Sequence, residues 1–188
     1  MNAPAGDFAT KTDDHTIQFV RILPGPIEKV WSFLEDSDKR AQWFARGALP
    51  KTVGETFEMK FKHSELSPHA APAPERMKEM DKVGHTSTYR LLAIEPPHRL
   101  VFTFGSDTNP ETASRVEFLL TPEGDPKDNK VRLTLTHSRI PDRGFMLGVS
   151  GGWHAHLAML QYRAEGQTPP AFWDVWRKYD GVYDKRYA

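Results

Sequence analysis

Two helical patterns about 120 residues apart, with strand-like segments filling much of the space between them, limit this chain to few architectures. The first begins at Pro26, a residue tolerated at the opening position of a helix because its missing N–H would be unpaired there anyway. Ile27, Val30, Trp31 and Leu34 then recur at helical spacing and make one apolar face. The second spans residues 145–165, where Trp153, Leu157, Leu160 and Ala164 mark a buried stripe. Between them Phe57, Met59, Phe61 and His63 alternate with Glu58, Lys60 and Lys62, the pattern of a strand with one wet face. Residues 84–94 read as a further strand. Leu100, Phe102 and Phe104 share a face, as do Val116, Phe118 and Leu120, and again Val131, Leu133, Leu135 and His137. Residues 98–137 therefore predict an antiparallel meander. The fold class expected is α+β: a curved antiparallel sheet wrapped around a long C-terminal helix, with an internal cavity.

The remaining segments predict one domain with two additions. Residues 1–14 read as a loose polar lead, and residues 15–23 as a first strand. Asp36-Ser37-Asp38 ends the first helix and caps a short second one carrying Trp43 and Phe44. The domain runs over residues 15–167. It is interrupted at 64–83 by an insertion holding Pro68, Pro72 and Pro74, a length at which loops often serve as lids or binding loops. Gly148, Gly151 and Gly152 weaken the start of the long helix, unless they let backbone approach the sheet. Residues 168–188 predict one last helix with Phe172, Trp176, Tyr179, Tyr183 and Tyr187 on a stripe. Such a stripe packs on its own domain or makes a homodimer contact.

Composition removes several functions. Lys plus Arg and Asp plus Glu number 25 each, so no broad basic field exists for nucleic acid. Cysteine is absent, which excludes disulfides and thiolate chemistry. No apolar run approaches the roughly 18 residues that span a bilayer, and residues 1–14 lack a hydrophobic signal core, so a cytoplasmic protein without membrane insertion is expected.

Several short segments, in order and spacing, carry a family resemblance: Pro26 to Trp31, Trp43 after the Asp-rich turn, Val53 to Phe57, Glu95 to Leu100, Leu133 to His137, and Gly152-Trp153. The chain resembles the SRPBCC (START-like) superfamily, and within it the branch similar to the C-terminal domain of the activator of heat shock protein 90 ATPase. The resemblance covers residues 17–164. It implies the helix-grip fold, with a cavity between sheet and helix. The superfamily hosts carriers, cyclases, receptors and chaperone cofactors, so fold alone does not fix function.

The inward phase names the candidate ligand-binding residues: Trp31, Phe57, Met59, Phe61, His63, Phe102, Phe104, Phe118, Leu133, Leu135, His137, Trp153 and Leu157. His137 sits on an apolar face, where it is either a polar anchor or acid/base in a pocket, or a buried histidine bonded to a neighbour. His63 and His85 face each other if their strands pair. His154 and His156, two apart on a helix, point to different sides. No metal site is expected, because helix ligands at i and i+4 are lacking, and no cofactor is implied. Carboxylate pairs such as Asp13-Asp14 and Glu75 with Glu79 fall in turns, termini or the charged loop, and Ser150 lacks a nucleophile-elbow context. The leading expectation is a binding module for a small apolar molecule. A cyclase- or hydrolase-type enzyme using His137 and a chaperone-cofactor interaction domain are the alternatives.

Overall fold

Strand β2 (Thr16–Pro24) puts Ile17, Phe19 and Leu23 inside and leaves Ile22 outside, the period-2 alternation that fixes its register on the sheet. The computed structural model describes residues 8–188. Residues 1–7 of the expected lead lie outside the described residues. Its later part is not loose: β1 (Thr10–Asp13) pairs antiparallel with β2 as an exposed edge strand. After β2, α1 (Ile27–Glu35) buries Val30, Trp31, Phe33 and Leu34. Asp36 then caps α2 (Ser37–Arg40), its carboxylate accepting from the backbone N–H of Asp38 and Lys39. That helix ends at Arg40, so Trp43 and Phe44 sit in the turn that follows and not on the helix. The turn is anchored by the indole of Trp43, whose Nε1–H donates to the Phe33 carbonyl at 2.8 Å.

Strands β3 (Thr56–Phe61), β4 (His85–Glu95), β5 (Arg99–Phe104), β6 (Ser114–Glu123) and β7 (Lys130–Ser138) complete a seven-stranded antiparallel sheet of order β1-β2-β7-β6-β5-β4-β3. The meander expected over residues 98–137 is β5 to β7, β4 pairs antiparallel ahead of it on β5, and β2 closes on β7 with Phe19 opposite Leu135. The insertion between β3 and β4 holds two short 3-10 turns and α3 (Lys78–Val83).

Helix α4 (Arg143–Ala164) starts at Asp142, whose side chain accepts from the Phe145 N–H. Every residue from Trp153 to Leu160 is buried, so the helix has no solvent face along that stretch. The sheet covers one side. The C-terminal tail covers another, with Phe172, Trp173, Val175 and Tyr183 buried against the domain. The tail is two helices where one was expected: α5 (Phe172–Tyr179) and α6 (Val182–Arg186). They break at Gly181, whose φ of +75° reverses the chain in a conformation that strains other residues. Among the described residues, no helix is long and apolar enough to cross a membrane.

Candidate functional site

One end of the grip is filled and the other is hollow. Below the middle of α4, Leu157 joins Phe118, Leu133 and Leu135 in the core, all within 2 % of full burial. Toward the start of α4 the contents thin out into a cavity of about 620 Å³. Phe145, Gly148, Val149, Gly152, Trp153 and His156 line it from α4, at spacings that keep them on one helix face. Phe44, Phe61, Tyr89 and Phe104 supply further aromatic walls, and Met80 reaches in from the insertion. His85, Thr86, Thr88 and Ser106 are exposed and mark the side open to solvent.

The two glycines explain the space. A Cβ on Gly148 or Gly152 would meet nothing within 4 Å, so bare helix backbone forms the floor. A residue with a larger side chain would occupy the cavity. Gly151 differs: it faces the carbonyl of Tyr179 at 3.8 Å from its would-be Cβ, so the close approach it permits is to the tail and not to the sheet.

None of the lining residues is Asp, Glu, Lys or Arg. His63 and His156 among them are held neutral at neutral pH. Burial pushes His63 down to about 4, with Asp81 pulling the other way, and pushes His156 down to about 3, helped by the neighbouring His63. Burial also raises the Tyr89 phenol to about 12. The cavity is thus aromatic, neutral and sized like a small-molecule site. A second hollow of about 310 Å³, around Arg46, Lys60, Lys62 and Arg163, is polar by contrast.

His137 does not line the cavity. It is fully buried and fully bonded. Trp153 Nε1–H donates to its Nδ1 at 3.1 Å, which places the proton on Nε2. Nε2 then bonds to Ser114 Oγ at 3.1 Å, and the Ser114 hydroxyl donates to the Phe104 carbonyl at 2.7 Å. Burial depresses its pKa to about 3. This relay ties β7, β6, β5 and α4 together and leaves no nitrogen free for a substrate.

The other histidines divide between cavity and tail. His156 Nδ1–H donates to the Trp43 carbonyl at 2.7 Å. His154 stacks on Tyr179 at 3.6 Å between centroids, and its Nδ1 is hydrogen-bonded at 2.7 Å to the Tyr183 hydroxyl, which itself accepts from Ala9 N–H. His63 lies past the end of β3, in a 3-10 turn and not in the strand. Its ring stacks on Phe172 at 4.6 Å and lies 5.2 Å from that of His156. His85 pairs opposite Phe61 across β3 and β4. Among the described residues, no three His, Asp or Glu side chains cluster as metal ligands would.

Of the sequence candidates, Phe61, His63, Phe104 and Trp153 line the cavity. Trp31, Phe57, Met59, Phe102, Phe118, Leu133, Leu135, His137 and Leu157 are buried elsewhere in the core. Strand phase identifies inward residues but cannot separate packed interior from lining. Sequence reading missed Phe44, Met80, Tyr89 and Phe145. The glycine pair at i and i+4, on the face that carries Trp153 and His156, was the signal that could have located the hollow end.

The insertion is braced by the tail. Asp81 accepts from Trp173 Nε1–H at 3.0 Å and from the Ser64 N–H at 3.1 Å, while Ser67 Oγ–H donates to the Pro169 carbonyl at 2.7 Å. Arg177 donates to the Pro72 carbonyl, and the Arg76 guanidinium lies over Trp176 at 5.1 Å. Insertion and tail therefore form one brace beside His63.

The profile of the family described as Activator of Hsp90 ATPase homolog 1-like protein matches residues 24–165. The chain belongs to this family. Among solved structures it is similar to a Bordetella parapertussis protein encoded by gene BPP1335, solved in solution by NMR, with 42% identity and a TM-score of 0.78 over 99% of this chain and 95% of that one. That similarity takes in the insertion and the tail. CalU16 from Micromonospora echinospora shares the fold at 19% identity and a TM-score of 0.61, over 90% of this chain and 86% of that one. DynU16, a protein in the dynemicin biosynthetic locus, shares it at 21% identity and a TM-score of 0.59, over 83% of this chain and 49% of that one. No curated protein matches the sequence.

Proposed function

We propose that this family member binds a small, uncharged, apolar or amphipathic molecule in the cavity between α4 and the β3–β5 end of the sheet, without chemistry of its own. One observation carries the reading: about 620 Å³ of space walled by Phe, Tyr and Trp rings, with none of the four charged residue types in the lining. A site of that size and character suits an apolar body, and entry of a charged group would cost its hydration without an ion partner in return. The catalytic reading through His137 loses its motive, since both ring nitrogens are engaged inside the protein. The chaperone-cofactor reading draws on the family description and not on a feature of this surface. Phe172, Trp173 and Tyr183 of the tail are covered by their own domain, which favours a monomer over a dimer built on them.

Native mass spectrometry of protein from its own host, followed by denaturing release, tests this. The expected result is a monomer carrying a neutral organic passenger, or an empty monomer that takes up naphthalene-sized probes. Gly152→Leu should block that uptake while the variant stays folded. Undiminished uptake in a folded Gly152→Leu protein would exclude this cavity as the site.

A further inference from the structure

The cavity wall carries one hydrogen-bonding atom whose state is fixed by its neighbours. A carbonyl can only accept, so the 2.7 Å bond from His156 Nδ1 to the Trp43 carbonyl sets the proton on Nδ1. The lone pair is then on Nε2. That nitrogen has no hydrogen-bond partner among the described residues, although the side chain is 94% buried by its 6 % exposure and lines the cavity. His63 stands beside it, ring to ring at 5.2 Å, and its nitrogens also make no hydrogen bond among the described residues. From this point the bare backbone of Gly152 and Gly148 runs along α4, one turn apart, between the rings of Trp153 and Phe145.

Building on the binding reading above, we propose that the ligand is an uncharged molecule with an apolar, ring-sized body and a hydroxyl or N–H at one end, which donates a hydrogen bond to His156 Nε2. Its body lies over Gly148 and Gly152, and its polar end points toward the His63–His156 pair. The nitrogen opens onto the cavity from a side chain that is otherwise covered, so a ligand donor there meets an acceptor for which the protein supplies no partner of its own. The structure thereby discriminates between two ligands of one shape that differ only in the donor.

Two probes of matched shape test this: 2-naphthol, which donates, and 2-methylnaphthalene, which does not. Calorimetric or competition titration should find 2-naphthol tighter by about fivefold or more, the factor expected of one net hydrogen bond. His156→Asn can still donate from its amide to the Trp43 carbonyl but offers nothing at the position of Nε2. In that variant the ratio of the two affinities should fall to about one, whatever the change in 2-methylnaphthalene affinity itself. Should the variant not fold, the ¹⁵N resonance of His156 Nε2 in the unaltered protein gives the answer: it should move on adding 2-naphthol and stay on adding 2-methylnaphthalene. Equal affinity for the two probes, an unchanged preference in folded His156→Asn, or an unmoved resonance would overturn the donor assignment while leaving the cavity reading intact. Binding of neither probe would refute both.

Discussion

Gly148 and Gly152 stand inside a helix, where glycine is about 0.8–1.0 kcal/mol less favourable than alanine. Neither is held there by crowding, because a Cβ at either position meets nothing within 4 Å. Neither needs glycine for its backbone, since both lie within the regular span of α4 and neither has a positive φ. Replacing each by alanine should therefore stabilise the protein by about 0.5–1 kcal/mol. The new methyls face open space and add little burial, so the gain is conformational. For a chain of 188 residues the double variant should melt about 2–8 °C higher, at roughly 2–4 °C per kcal/mol. The same variant should bind cavity probes more weakly, because its methyls stand where the ligand body lies. Scanning calorimetry and probe titration on one preparation read both effects. A lower melting temperature would refute the reasoning, since it would mean that these glycines serve the fold and not the space. Unchanged probe affinity would place the ligand elsewhere.

Four other outcomes follow from the geometry. Gly47→Ala is the opposite case: its Cβ would lie 2.0 Å from the Glu58 carbonyl oxygen, so denaturant titration should record a loss above about 2 kcal/mol. Asp81→Ala strands the buried Trp173 indole, at a cost of about 1–3 kcal/mol, and removes the acceptor of the exposed Ser64 amide, and hydrogen exchange should quicken in both the 64–83 segment and α5. His137→Ala should destabilise by about 2–4 kcal/mol through its lost bonds and the void it leaves, yet probe affinity in the folded variant should stay within about threefold; abolished binding in a stable variant would return His137 to the site. Burial holds His63, His137, His154 and His156 below their ordinary pKa of 6.5, so the unfolded chain binds protons that the folded one refuses. Stability should be full above about pH 6.5 and decline toward pH 4, by at most about 1.4 kcal/mol per pH unit for each histidine; equal unfolding free energies at pH 7.5 and 5 would contradict this.

Much of the architecture was legible because periodicity survives in single elements. Alternation in Phe57, Met59 and Phe61, or in Val131, Leu133 and Leu135, reports a half-buried strand wherever the strand ends up. The resemblance in Pro26 to Trp31 and Gly152-Trp153 supplied the topology that periodicity leaves open. The tail was half legible: the Phe172 and Tyr183 spacing promised burial, but Gly181 at a positive φ splits the helix, and Trp173, which was not on the expected stripe, bonds to Asp81. That contact joins residues 92 apart in sequence, and no local signal announces it. The site was least legible. Whether Leu135 touches Leu157 or an empty space depends on how far α4 stands from each strand, a quantity fixed by many side chains together. His137 illustrates the ambiguity: an inward histidine among aliphatics reads alike as anchor or as core, until Trp153 and Ser114 take both of its nitrogens.

Backbone amide mapping of a bound probe tests the central claim most directly. On adding naphthalene to ¹⁵N-labelled protein, shift changes should concentrate at Tyr89, Gly105, Phe145, Gly148, Gly152 and Trp153, which line the neutral cavity. They should spare Leu133 and Leu135 in the filled half of the core. Changes centred on Arg46, Lys60 and Arg163 at the polar hollow, or no saturable change at all, would contradict the assignment of this cavity as the binding site.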